Sequence, residues 1–119
     1  MDYPHLIKIL ATYPGAISNQ ELVDYIVDHS EDADPEMVQN LLRGGSGIKK
    51  EVRVRDVIPG PEEVHLQDPW KINEYRRMPI ETRPPIVLDQ EYVLIDGHHR
   101  WQAAKENGED YIDAYVVVY

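Results

Sequence analysis

The sequence predicts an α+β protein: a three-helix stretch over residues 1–46, followed by a compact mixed domain over residues 47–119. Three observations lead there. Apolar residues recur at helical spacing in the first part, and short apolar runs of strand length dominate the second. Between the last two runs, a strand passes through Asp96-Gly97 directly into an alanine-containing helix.

The elements follow in order. His5 to Thr12 reads as a short helix. Ser18-Asn-Gln-Glu21 is a capping box, in which serine and glutamate satisfy each other's backbone donors. It opens a helix carrying Leu22, Val23, Tyr25, Ile26 and Val27, with Asp24 and Asp28 on the wet side. Asp34-Pro35 is an N-cap followed by proline at the first helical position. Met37, Val38, Leu41 and Leu42 then supply an apolar face. Gly44-Gly45-Ser46-Gly47 is expected to end that helix as a flexible joint. The spacing resembles a helix-turn-helix unit. The last helix carries a single base, Arg43, so a role in packing or protein contact is expected of it over DNA reading.

Beyond the joint, Val52, Val54, Val57 and Ile58 suggest a strand ended by Pro59-Gly60-Pro61. Pro69 to Met78 is a short helix, and Trp70 within it is expected in the core, with cover for a nucleobase as the alternative. Pro84-Pro85 holds the backbone extended. Ile86–Leu88 and Tyr92–Ile95 flank Asp89-Gln-Glu91 as a hairpin. His99 to Asn107 is a helix stopped by Gly108, with Trp101, Ala103 and Ala104 toward the sheet. Ala114 to Val118 is a final apolar strand. Its segment, Tyr111 to Tyr119, is also a candidate for pairing with another chain at a sheet edge.

Composition narrows the function. The chain has no cysteine, which excludes disulfides, thiolate nucleophiles and cysteine-based zinc sites. Its net charge is −10. Such a balance disfavours nucleic acid as a partner. Local basic clusters occur only at Lys49, Lys50, Arg53 and Arg55, and at Arg76 and Arg77. No apolar run approaches the ~20 residues of a membrane span, and no leader pattern opens the chain, so a cytoplasmic protein without membrane contact is expected.

The chemistry concentrates in Tyr92-Val-Leu-Ile-Asp96-Gly97-His98-His99-Arg100-Trp101-Gln-Ala103-Ala104. A strand that turns through glycine into a helix points backbone N–H groups at one spot, which suits a phosphate. Arg100 in the first helical turn is expected to add a charged fork. Adjacent side chains diverge on a helix, so His98 and His99 alone are not expected to make a metal site.

Those residues, with Pro85-Ile-Val-Leu before them and the last strand after, resemble the ParB/sulfiredoxin fold over roughly residues 51–119. Gly97, Arg100 and Ala103 fall on the family's Gly-x-x-Arg-x-x-Ala motif. The resemblance implies a phosphate cradle for ATP or CTP, with Gly97, His98, His99, Arg100 and Ala103 as nucleotide-binding residues. Sulfiredoxins carry a cysteine where this chain has His98, so that chemistry is excluded. Partition proteins have Glu-Arg-Arg after the glycine, where this chain has His-His-Arg. The Asp-Gly-His-His-Arg form looks most like small stand-alone members such as free-serine kinases, whose Glu-Glu-Val stretch Glu62-Glu63-Val64 resembles. That likeness implies an NTPase or small-molecule phosphotransferase acting on a small hydroxyl substrate. Glu62 or Glu63 would be the base, and Asp96 would hold Mg²⁺ or orient the acceptor. Two other readings stand beside it: a ParB-like DNA-binding or nuclease module, and a non-enzymatic acidic protein that docks on a partner through residues 1–46 or mimics nucleic acid.

Overall fold

The computed structural model describes residues 15–29, 33–60 and 68–119. The helix expected over residues 5–12 and the acids Glu62 and Glu63 lie outside them. Within the described residues are α1 (Asn19–His29), α2 (Pro35–Leu42), β1 (Ser46–Arg53) and α3 (Pro69–Arg77). They continue with β2 (Ile86–Leu88), β3 (Leu94–Asp96), α4 (His98–Glu106) and β4 (Tyr111–Val118). Single turns of 3₁₀ helix cover Val54–Asp56 and Ile80–Thr82.

The sheet runs in the order β1-β4-β2-β3. β4 is antiparallel to β1, from Ser46 opposite Val118 to Arg53 opposite Tyr111. It is parallel to β2, with Ile86 opposite Ala114 and Leu88 opposite Val116. Both sides of β4 are therefore paired within the chain. The edge pairing expected of Tyr111–Tyr119 is met intramolecularly, by β1 and β2. β2 and β3 form the expected hairpin, whose turn is held by the Asp89 carboxylate, which accepts from the N–H groups of Glu91 and Val93.

Helices cover both faces of the sheet, which explains why β2 and the Ala114–Val118 part of β4 are continuously apolar instead of alternating. On one face, Val87 and Val117 pack with Leu22, Val23, Ile26, Val38 and Leu42 of α1 and α2. On the other, Ile86, Leu88, Leu94, Ala114 and Val116 pack with Trp101 and Ala104 of α4. Residues on either side of the expected 46/47 boundary share one core, and the boundary falls inside β1. Gly44-Gly45-Ser46-Gly47 is not a flexible joint. Ser46 and Gly47 are the buried start of β1. A Cβ on Gly45 would lie 2.4 Å from Val117 Cγ1, so glycine is needed there for close approach. Arg43, at φ 51, supplies the left-handed residue that ends α2.

Two further expectations are corrected. Val38 and Leu42 are the buried residues of α2, whereas Met37 and Leu41 are exposed. The reason is that α2 touches the core through a narrow stripe one turn apart. Trp70 is 82% exposed, because α3 rests on α4 through Ile72 and carries Trp70 on its outer side.

Candidate phosphate site at the start of α4

The turn between β3 and α4 is built around Gly97, whose φ is 98°. A Cβ at this position would lie 2.7 Å from Ile86 Cγ2 and 3.0 Å from Arg100 Nη2, so both conformation and space require glycine. As the N-cap of α4, Gly97 offers no side chain to accept from the helix, and the first turn contains no acid. The first N–H groups of a helix have no intrahelical partner, and the helix dipole makes that end positive. The main-chain geometry of an anion cradle is present.

The side chains are arranged differently from a simple cradle. Arg100 is only 2% exposed. Its Nη2 donates to Asp96 Oδ2 at 2.8 Å. Its Nη1 donates to the Pro85 carbonyl at 2.7 Å, the Pro84 carbonyl at 3.1 Å and the Tyr25 hydroxyl at 3.0 Å. The Tyr25 hydroxyl in turn donates to the Pro85 carbonyl. The guanidinium thus faces into the fold and ties α4 to β3, to the start of β2 and to α1. Burial pushes the Asp96 carboxyl above its usual range, and the Arg100 charge pulls it part of the way back. Burial likewise pushes the Tyr25 phenol up from 10.0 to about 12, with Arg100 opposing.

His98 and His99 are both half-buried and do different things. His99 Nε2 accepts from the Asp68 N–H at 2.9 Å, and the ring locks the start of α3 to α4. His98 lines a cavity of about 570 Å³ whose walls include Arg43, Gly60, Ile95 and Tyr119. Ala103 is fully buried, and its role in the motif is to let α4 seat closely. Among the described residues, no three histidine or acidic side chains gather as a metal-binding group.

Two participants are absent from any sequence motif. Tyr25 lies 75 residues from Arg100, and nothing in its helical context marks it as a hydrogen-bonding partner. Arg43 reads as an ordinary helix-end base, yet it reaches the cavity beside His98. For Pro84-Pro85 a signal did exist: an extended, ring-locked pair leaves its carbonyls without strand partners.

No protein-family model matches the chain. It is 29% identical over 115 residues to an uncharacterized protein of Methanocaldococcus jannaschii, a match covering 87% of this chain and 42% of that protein. The chain thus spans less than half the length of this relative. Among solved structures it is similar to a Pnob8-like ParB-N domain, with a TM-score of 0.52 and 18% identity over 61% of this chain and 30% of the other. It is also similar to sulfiredoxin from Arabidopsis thaliana, with a TM-score of 0.50 and 17% identity over 58% of this chain and 83% of the other. The chain has the ParB/sulfiredoxin-like fold, as its residues suggested.

Proposed function

We propose that the chain binds a nucleotide through its phosphates at the start of α4 and acts as an NTPase or small-molecule phosphotransferase. One observation carries this reading: among the described α-helices, α4 is the one whose start has no side-chain cap. Ser18, Asp34 and Asp68 cap α1, α2 and α3. An incoming phosphate would take the N–H groups that a capping oxygen takes elsewhere. Arg43 would add positive charge from the cavity wall, where His98 also lies. Arg100 serves this site by positioning: paired to Asp96 and to the Pro84 and Pro85 carbonyls, it fixes the turn that aims the amides.

The phosphates of ATP or CTP are the ligands that the resemblance implies. Asp96 pairs with Arg100 through Oδ2, and the Mg²⁺ that the resemblance implies would come with the nucleotide phosphates. Glu62 and Glu63 keep the role of candidate bases on the strength of their sequence context.

Calorimetric titration of ATP, CTP, GTP and ADP into the wild type and His98→Glu tests this reading. Glutamate at the first helical position suits the helix dipole but its charge opposes a phosphate, and circular dichroism of the variant checks that the fold is retained. Binding by the wild type that is lost in the folded variant supports the proposal. No binding of any nucleotide to the wild type overturns it.

A further inference from the structure

We infer that a second cavity, at the opposite end of α4, binds a small ligand carrying a phosphate or carboxylate group on an aromatic body. This cavity measures about 740 Å³ and shares no lining residue with the one beside His98. That volume lies in the usual range for small-molecule sites, roughly 300–1,000 Å³.

Its charge is opposite to that of the chain. Arg53, Arg55 and Lys105 line it, against Glu109 and Asp110. Glu109 is already neutralised: its Oε1 accepts from Arg83 Nη1 at 2.5 Å and its Oε2 from Asn107 Nδ2 at 3.1 Å. One carboxylate is left facing three cations, in a protein of net charge −10. Clefts that concentrate one sign of charge between low-dielectric walls attract ligands of the other sign.

The walls supply the second half of the recognition. Trp101 lines the cavity with its indole fixed, because Nε1 donates to the Val54 carbonyl at 3.0 Å. Lys105 Nζ sits 5.2 Å from the centre of the Trp101 rings, which holds the cation at the wall. Tyr111, 48% exposed, offers an aromatic face on the cavity lining. An anionic group among Arg53, Arg55 and Lys105 would place an attached ring against Tyr111, at the cavity edge of the buried Trp101 and Val57.

Amide and indole NMR shifts of the full chain, titrated with phenyl phosphate and separately with phenol, test the inference. Phenyl phosphate should move the Trp101 indole signal and the amides of Arg53, Arg55 and Tyr111. Phenol should not, and Arg55→Glu, a change at an exposed residue, should raise the Kd at least tenfold. The inference is overturned if phenyl phosphate moves none of these signals, if it moves only those of Gly97–Arg100, if phenol does as well, or if Arg55→Glu binds as the wild type does.

Discussion

The starts of α1, α2 and α3 differ from the start of α4 in one respect that organises the molecule. At the first three, a side-chain oxygen of Ser18, Asp34 or Asp68 accepts from the helix, and each helix start is chemically closed. At the fourth, Gly97 offers no side chain, Asp96 accepts from Arg100, and Arg100 also donates to the Tyr25 hydroxyl and to the Pro84 and Pro85 carbonyls. Closed starts stabilise their own helices. The open start costs the fold a cap and is held by a buried network, and the proposed phosphate site rests on that contrast.

The largest effect expected from breaking this contrast comes from Arg100→Ala. It leaves the Asp96 carboxylate buried without its partner, at a cost of about 3–5 kcal/mol. Urea denaturation should show that loss. For the same reason, a failure of this variant to bind nucleotide would not separate a phosphate contact from a damaged fold. Gly97→Ala follows, at about 2–4 kcal/mol, since it combines a strained φ with overlap on Ile86.

Tyr25→Phe should cost about 1–2 kcal/mol near neutral pH, measured the same way. It should also change the response to alkali. In the folded protein the phenol holds its proton until about pH 12, against 10.0 for the ordinary group. Between these values the unfolded chain binds fewer protons than the folded one, so stability falls as pH rises. That component should be missing in Tyr25→Phe. Asp68→Ala removes an ordinary cap and should cost about 1 kcal/mol without touching the amides of α4. His98→Glu sets a second acid near the buried Asp96 and should cost a similar amount, about 1 kcal/mol, while abolishing nucleotide binding.

Local chemistry was readable in the sequence wherever one short stretch determined the result. The Ser18–Glu21 box forms reciprocally, with the Ser18 N–H donating to Glu21 and the Glu21 N–H to Ser18. The Asp34-Pro35 start, the hairpin around Asp89 and the Asp96-Gly97 turn also formed as read. What was not readable depended on distant partners. Gly45 signals a flexible joint until Val117 is packed against it. Arg100 reads as an outward anion ligand until the carbonyls of Pro84 and Pro85 and the hydroxyl of Tyr25 arrive to take its donors. Trp70 reads as core because its size suggests burial, whereas its position on the outer side of α3 decides otherwise.

The most direct test follows the backbone amides of His98, His99 and Arg100 by NMR as ATP with Mg²⁺ is added. Phosphate binding at the start of α4 predicts that these three signals move together and saturate, while the amides at the capped starts of α1 and α2 stay in place. Nucleotide binding that leaves the three amides unmoved, or no saturable change anywhere, would contradict the account.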